Sequence, residues 1–261
     1  MLDLIEPFTA YLQQKALFRP VKLPESYAFA FDHPFEEIFL DSPDGARLNL
    51  LKFPSDWPTP RGVVLYFHGN RHNLQRWGAM HTDFTSRGFD FVAPDYRGYG
   101  KSTGEPRERS YYEDARLIYD WLRADYPAHH ILLYGRSLGT GMACYLAAHV
   151  RAKMAILETP FDNIAGLMAS HLGRTDIPFR PAFFFPNDRH LRQSDLPVLL
   201  FHGTADRVVP FECATRLRAC LKPGDEFVTI SGGAHHNLRE FSIYQERLSA
   251  WLDGMPETAT H

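Results

Sequence analysis

The chain has 261 residues, 44% of them apolar, and its 28 basic and 31 acidic side chains leave a formal net charge of −3. This composition excludes an intrinsically disordered chain and suffices for one large core. No run of Lys or Arg is present, so we expect no nucleic-acid partner. Cys144, Cys213 and Cys220 form no CxxC pair, which predicts buried reduced thiols rather than disulfides or a thiolate zinc site.

The N-terminal segment gives little sign of export. It lacks the basic region of a signal peptide, and no apolar stretch reaches the roughly 18 residues that span a bilayer, so we expect a cytoplasmic protein. Residues 7–18 show an amphipathic helical pattern, which fits either packing on the core or peripheral contact with a membrane. We therefore predict a helix and extended lead-in over residues 1–35 and a single domain over residues 36–261.

The remaining sequence alternates short β-branched or aromatic segments with longer segments of helical periodicity. This alternation predicts an α/β fold with eight strands, mostly parallel and joined by crossover helices. The predicted strands are Glu37–Leu40, Leu48–Phe53, Val63–His68, Phe89–Ala93, Ile131–Tyr134, Met154–Leu157, Val198–Phe201 and Phe227–Ile230. The predicted helices are Trp77–Ser86, Ser110–Tyr126, Leu138–Val150, Phe211–Leu221 and Leu238–Leu252. Asp44-Gly45 indicates a hairpin, so the sheet should begin antiparallel.

The segment 158–196 interrupts this alternation. It contains several prolines and the run PAFFFP, and it is too long for an ordinary connection. We predict a cap over the carboxyl edge of the sheet, where ligands bind in open α/β folds. Four aromatic side chains of the cap could line an acyl pocket or could only pack the cap: Phe179, Phe183, Phe184 and Phe185.

The sequence ILLYGRSLGTG places Ser137 in a G-x-S-x-G pattern between an apolar strand and a helix. A nucleophile on such a sharp turn needs small neighbours, here Gly135 and Gly139, so that the backbone can turn and present the hydroxyl. The amides at the start of the following helix would face an anion formed at the serine. Ser137 is therefore the candidate nucleophile.

A serine hydroxyl needs a base to take its proton and a carboxylate to orient that base. Asp206 follows the seventh predicted strand, and His235 and His236 follow the eighth. Glu158 and Asp162, after the sixth strand, are alternative acids, but Asp206 lies in the fuller motif HGTADRVVP.

An oxyanion hole requires backbone amides facing the nucleophile. The third predicted strand ends in HGN, where Gly69 allows a turn that would aim the amide of Asn70 inward, and Leu138 would supply the second amide. His68 could act as a base, but at such a turn we predict that it holds the loop by hydrogen bonds. Asp95, in DYRGYG, is expected to brace the same region.

Motifs for cofactors and metals are incomplete. RGYGKS lacks the first glycine of a phosphate-binding loop, and GTGMAC ends in Cys144 where a dinucleotide-binding fingerprint needs a small residue. His68 and His72 are separated by a Gly-containing turn rather than by a helical turn, which disfavours zinc. We expect no cofactor and no metal.

Five motifs resemble the α/β-hydrolase superfamily, and within it the small lysophospholipase- and depalmitoylase-like subgroup and its bacterial relatives: HGN (68–70), DYRGYGKSTG (95–104), GRSLGTG (135–141), HGTADRVVP (202–210) and GAHHN (233–237). The resemblance implies an eight-stranded α/β-hydrolase fold and the chain order serine, acid, histidine. In the family the histidine before Asn is the catalytic one. It corresponds to His236, although this chain has His235 where the family has glycine.

The expected activity is a metal-independent serine hydrolase with Ser137, His236 and Asp206 as its triad. Its expected partner is a small acyl ester or thioester, including lysolipid-like molecules, cleaved through an acyl-enzyme. A peptidase of the prolyl-oligopeptidase or aminopeptidase type would use the same triad, and a non-catalytic binding protein on the same fold is a third reading. The sequence does not fix the oligomeric state.

Overall fold

A computed structural model describes residues 18–179 and 181–254. The helix predicted over residues 7–18 lies outside these residues apart from Phe18. That side chain is buried, with its ring centroid 4.6 Å from that of Phe183. Among the described residues, no helix combines the length and apolarity that a membrane span requires.

The described residues form an eight-stranded sheet, and Ser137, Asp206, His235 and His236 all lie in loops that follow its strands. Its strands are β1 (Glu36–Asp41), β2 (Arg47–Phe53), β3 (Gly62–Phe67), β4 (Phe89–Pro94), β5 (Ile131–Arg136), β6 (Met154–Glu158), β7 (Val198–Gly203) and β8 (Glu226–Ile230). Their spatial order is β8-β7-β6-β5-β3-β4-β2-β1. Only β2 runs antiparallel to its neighbours, β1 and β4, while the other pairs are parallel. The eight predicted strands and the antiparallel start of the sheet are confirmed.

The central strands are buried on both faces, as their continuous apolar sequences indicate. All six residues of β3 are buried. Because successive side chains of a strand point to opposite faces, Val63 and Leu65 belong to one apolar core and Val64 and Tyr66 to the other. These two cores hold the sheet as a rigid platform for the loops at its carboxyl edge.

The helices are α1 (Leu74–Trp77), α2 (Thr82–Thr85), α3 (Glu108–Leu122), α4 (Thr140–His149), α5 (Ile164–His171), α6 (Asn187–Gln193), α7 (Phe211–Leu217) and α8 (Ser242–Gly254). The predicted helices corresponding to α3, α4, α7 and α8 are confirmed. The helix predicted over Trp77–Ser86 is instead broken, because the 3₁₀ turn Gly78–His81 separates α1 from α2. Two two-residue strands, Arg19–Pro20 and Arg71–His72, pair in parallel outside the main sheet.

The segment 158–196 is more regular than its prolines suggest, because it contains α5 and α6. The Asn163 side chain caps α5 by accepting the amide of Gly166 at 2.8 Å. Helix α6 packs against α4, and Asn187 Nδ2 donates to Thr140 Oγ1 at 3.2 Å. The last part of the segment is thus a helix packed against α4, and the role of 158–196 as a cap stays a prediction.

The three cysteines of the chain are free and buried. Burial raises the pKa of the Cys144 thiol, which keeps it protonated and inert. The prediction that the three cysteines are buried is confirmed.

Candidate active site

Ser137 lies at a strained turn directly after β5. Its φ is +50°, a left-handed conformation that non-glycine residues rarely adopt and that is concentrated at functional sites. A Cβ on Gly139 would lie 2.0 Å from the carbonyl oxygen of Phe67, and one on Gly135 would lie 2.6 Å from the carbonyl oxygen of Gly139. Both positions therefore require glycine on steric grounds, as the motif predicts for a nucleophile turn.

Three side chains from three loops form a continuous hydrogen-bonded chain. His235 Nδ1 lies 2.7 Å from Asp206 Oδ2, and His235 Nε2 lies 3.1 Å from Ser137 Oγ. A carboxylate only accepts, so Nδ1 carries the ring proton and Nε2 is free to accept from the serine hydroxyl. All three residues are buried. The arrangement suits transfer of the serine proton to the imidazole.

Asp206 is held rigidly behind the imidazole. Its Oδ1 accepts the amides of Val208 and Val209, each at 2.8 Å. His202 Nε2 donates to the carbonyl of Val209 at 2.9 Å and so braces the same turn. Burial raises the pKa of Asp206, but the hydrogen bond from His235 and the amide of Val209 outweigh it, and the net pKa lies below its usual value. The carboxylate is therefore ionised where it faces the imidazole.

The structure places His235, and not the predicted base His236, between Asp206 and Ser137. His236 Nδ1 lies 3.5 Å from Arg136 Nη2, and the His236 ring lies edge-on to that of His235 with centroids 4.9 Å apart. The loop conformation explains the difference. The amide of Ala234 donates to Asn237 Oδ1 at 2.8 Å, closing a tight turn that projects consecutive histidines to different sides.

The alternative acids have other partners. Glu158 Oε1 lies 3.1 Å from Arg136 Nη1, and its Oε2 accepts the Tyr134 hydroxyl at 2.6 Å. Asp162 accepts two hydrogen bonds from the guanidinium of Arg216, at 2.7 and 2.9 Å. Asp206 is the carboxylate that touches His235.

The turn after β3 runs beside Ser137. A Cβ on Gly69 would lie 3.8 Å from Ser137 Cβ. The Tyr99 hydroxyl donates to the Asn70 carbonyl at 2.7 Å, and Asn70 Oδ1 accepts the amide of Arg19 at 3.2 Å. Leu138 follows Ser137 in a 3₁₀ turn that leads into α4. The two predicted amide donors therefore lie in segments that meet at Ser137.

His68 and Asp95 brace that turn from below, in the structural roles that the sequence predicts for them. His68 Nδ1 donates to the Gly69 carbonyl at 2.7 Å, and its Nε2 lies 3.2 Å from Asp95 Oδ1. Both side chains are fully buried. Asp95 also accepts the amide of Leu74 at 3.1 Å. Burial raises the pKa of Asp95, while its contacts with His68 and Leu74 act in the opposite direction.

The four cap phenylalanines divide into two pairs. Phe183 and Phe185 are buried in the core, where Phe185 packs against Gly141 and the ring of Tyr111, which favours the packing alternative for these two residues. Phe179, 48% exposed, and Phe184 line a cavity of about 760 Å³ beneath α5. Its wall also carries Ile177, Pro178 and Arg216, so it offers both apolar and charged surface. The two pairs differ in burial because Phe183 and Phe185 pack against α3 and α4.

Arg136, to which the sequence motifs assigned no role, is a buried cation in the residue directly before Ser137. Its Nη2 donates to the carbonyl of His235 at 2.9 Å, and its guanidinium lies 5.2 Å from the centroid of the Trp77 ring. Burial lowers the pKa of Arg136, but the Glu158 carboxylate and the hydroxyls of three buried tyrosines together outweigh burial, and the net pKa is raised. The available signal was a charged residue ending the otherwise uncharged strand ILLYGR.

Sequence comparison relates the chain to several hydrolases. A family model described as serine aminopeptidase, S33, matches residues 58–175. The lysophosphatidylserine lipase ABHD12 of Macaca fascicularis is 30% identical over 189 residues, which are 63% of this chain and 46% of the relative. The α/β hydrolase domain-containing protein 17B of Xenopus laevis is 28% identical over 75% of this chain and 67% of the relative. The chain thus spans about half the length of ABHD12.

Solved structures show the same fold. The Pyrococcus furiosus esterase Pf2001 aligns with a TM-score of 0.72 over 91% of this chain and 98% of its own, at 16% identity. The esterase domain of a Rhodothermus marinus protein aligns with a TM-score of 0.63 over 84% of this chain and 97% of its own, at 22% identity. The strand order, the nucleophile turn and these likenesses agree with the resemblance drawn from the five motifs. The chain has the fold of the α/β hydrolases, and in sequence it is similar to members of that superfamily.

Proposed function

We propose that the protein is a serine hydrolase that cleaves carboxylic esters or thioesters through an acyl-enzyme. The observation that carries the proposal is the hydrogen-bonded chain from Asp206 through His235 to Ser137, set on a turn with positive φ. A buried imidazole between a carboxylate and a serine hydroxyl is the arrangement that turns a weak nucleophile into an effective one.

In the first half of the reaction, Ser137 Oγ attacks the carbonyl carbon while His235 Nε2 takes the hydroxyl proton. Asp206 stabilises the imidazolium through Nδ1, and its ionised state, supported by the amides of Val208 and Val209, suits that role. The amides of Leu138 and Asn70 hold the negative oxygen of the tetrahedral intermediate. Collapse breaks the bond to the leaving group, which departs as an alcohol or thiol with the proton from His235.

In the second half, water enters where the leaving group was. His235 Nε2 removes a proton from the water as its oxygen attacks the acyl carbon, and the same proton returns to Ser137 Oγ when the acyl bond breaks. The products are a carboxylic acid and the free enzyme.

The cavity at α5 that Phe179 and Phe184 line, here called the cap cavity, suits acyl substrates that carry a polar group, such as lysolipid-like esters. Ser137, Asp206 and His235 are not among the described residues that line it, so its use as the acyl site is part of the proposal. Phe179 and Phe184 offer apolar surface for an acyl chain, and Arg216 and Asp162 offer polar groups at the same cavity. A volume of about 760 Å³ suits a molecule of drug size. The ABHD12 relatives, whose name records a lysophosphatidylserine lipase, point to the same substrate class.

Peptide hydrolysis is the second candidate, and the family model described as a serine aminopeptidase favours it. An aminopeptidase would use the same three side chains, but it would release amines from aminoacyl amides. A panel of acyl esters and thioesters of graded length, run beside aminoacyl amides, separates the two candidates. Preference for the acyl esters by kcat/KM supports the proposal, and preference for the amides supports the peptidase.

Labelling with a fluorophosphonate probe tests the nucleophile itself. We expect one labelled site in the native chain and none in Ser137→Ala, with the melting temperature of the variant unchanged within a few degrees. Labelling that persists in Ser137→Ala would overturn the assignment. A native chain that neither reacts with the probe nor hydrolyses any member of the panel would instead indicate a binding protein on this fold.

A further inference from the structure

Arg136 connects three segments that meet at the candidate active site. It is the last residue of β5, directly before Ser137, and its side chain is 6% exposed. Nη1 lies 3.1 Å from Glu158 Oε1 at the end of β6, and Nη2 donates to the carbonyl of His235 at 2.9 Å. One guanidinium therefore joins the nucleophile strand, the neighbouring strand and the histidine loop.

Contacts outside the histidine loop hold the Arg136 guanidinium in place. Arg136 and Glu158 are direct partners in the pairing of β5 with β6. The Glu158 carboxylate is itself held by the Tyr134 hydroxyl at 2.6 Å, and that hydroxyl lies 2.6 Å from the hydroxyl of Tyr244. Trp77 contacts the guanidinium through its ring. A planar, rigid donor held in this way aims its N–H groups with little loss of entropy.

The backbone carbonyl of His235 accepts the hydrogen bond from Arg136. The side chain of His235 is the one that must be placed most accurately. His235 must keep Nδ1 on Asp206 and Nε2 on Ser137 at once, at 2.7 and 3.1 Å. The turn that carries it is closed by Asn237 on one side, through the amide of Ala234. The bond from Arg136 fixes the carbonyl on the other side. A displacement of about 1 Å at such a site can cost about 100-fold in rate.

We propose that Arg136 is a positioning residue, whose guanidinium, held by Glu158, fixes the His235 carbonyl so that the imidazole spans Ser137 and Asp206. The inference rests on the proposed hydrolase function. It also gives Glu158 a role distinct from that of the acid, namely to neutralise and orient Arg136. Removing either partner alone would leave an unpaired buried charge, which is strongly destabilising.

The test compares two variants that treat the ion pair differently. Arg136→Lys keeps the charge, but a single ammonium cannot reproduce the fork that serves both Glu158 and the His235 carbonyl. The double variant Arg136→Met/Glu158→Gln removes both charges together. Arg247→Lys is the matched control, because Arg247 forks onto Glu226 in a pair remote from Ser137. Each is assayed for kcat, KM, rate of fluorophosphonate labelling and melting temperature.

We expect kcat and the labelling rate to fall about 10- to 100-fold in both Arg136 variants, with KM changed by less than about threefold. The control should keep the native kcat. A double variant with native melting temperature and native kcat would overturn the inference and leave the pair as a buried ion pair only. If the double variant does not fold, Arg136→Lys carries the test, and native kcat in that variant is the overturning result.

A readout that needs no turnover separates this inference from the proposed function. In a ¹⁵N-histidine-labelled chain, the Nδ1 proton of His235 bonded to Asp206 gives a low-field resonance, assigned by its loss in Asp206→Asn. We expect that resonance to shift or broaden in the Arg136 variants and to persist in Arg247→Lys. If the native chain is inactive but the resonance responds in this way, the proposed function fails while the positioning role holds. An unchanged resonance in both Arg136 variants overturns the positioning role.

Discussion

The hydroxyl of Ser137 lies 3.1 Å from Nε2 of His235, although 98 residues separate them in the chain. Two strands, β6 and β7, lie between the strands that these residues follow. The contact forms because the parallel strands end at one edge of the sheet, where their loops converge. The sheet topology therefore brings the histidine loop close to Ser137. The conformation of one short turn decides whether His235 or His236 contacts the serine hydroxyl.

Asp206→Asn should lower kcat by about 10³- to 10⁴-fold, the scale seen when the aspartate of a serine protease triad becomes an amide. The amide can present an N–H to Nδ1 of His235, which favours the wrong tautomer. Steady-state kinetics on a short acyl ester measure the effect.

The control for Asp206→Asn is Asp253→Asn, because Asp253 is an exposed residue whose side chain pairs with Arg61 at the end of α8. It should leave kcat unchanged. Near-native kcat in Asp206→Asn together with a large loss in Asp162→Asn would transfer the role of acid to the end of β6.

The depressed pKa of Asp206 predicts a specific dependence of stability on pH. A carboxyl whose pKa is lower in the folded state contributes stability above its unfolded value of about 4, and loses that contribution as the pH falls through its folded value. The difference in unfolding free energy between the native chain and Asp206→Asn should therefore be constant above about pH 5 and decrease below about pH 4. Urea unfolding at a series of pH values measures it. A difference that grows on acidification would contradict the lowered pKa.

Gly139→Ala should damage the nucleophile turn, since the new Cβ would lie 2.0 Å from a backbone oxygen that cannot move freely. We expect a loss of about 3 kcal/mol or more in unfolding free energy and slower fluorophosphonate labelling. Gly254→Ala is the control, because its Cβ would meet nothing within 4 Å. Equal stability of the two variants would show that the turn relaxes easily.

The two pairs of phenylalanines should respond differently to truncation. Phe179→Ala and Phe184→Ala should change the ratio of kcat/KM between long and short acyl esters by several-fold, since each removes apolar surface from the cap cavity. Phe183→Ala and Phe185→Ala should instead cost about 3–5 kcal/mol in unfolding free energy, as buried aromatic residues do. Melting curves and a chain-length series distinguish the outcomes. An unchanged ratio in both cavity variants would exclude the cavity as the acyl site.

Much of the fold could be predicted from the sequence because its central strands are short apolar segments bounded by turn residues. Local pattern also singled out Ser137 and Asp206, since each follows a strand within a recognisable motif, and the structure brings both to the same imidazole. The helices α5 and α6 were missed because prolines surround them. Helix α6 begins directly after Pro186, a position at which proline is compatible with the start of a helix.

The choice between His235 and His236 could not be made from sequence. Adjacent residues in a turn project in different directions, and here the direction depends on the bond from Ala234 to Asn237 and on the carbonyl held by Arg136. Both are tertiary or turn-specific contacts that no periodicity encodes. Sequence could not show which cap phenylalanines are buried for the same reason. Phe185 is buried by a tertiary contact with Gly141, which is distant in sequence.

The most direct test compares kcat/KM for His235→Ala and His236→Ala on the same acyl ester. The histidine and its serine act as a unit, so loss of the base should cost on the order of 10³-fold or more. We predict that loss for His235→Ala and a change of less than about tenfold for His236→Ala, with both variants folded. A reversed result, with His236→Ala inactive and His235→Ala near native, would contradict the placement of His235 between Ser137 and Asp206.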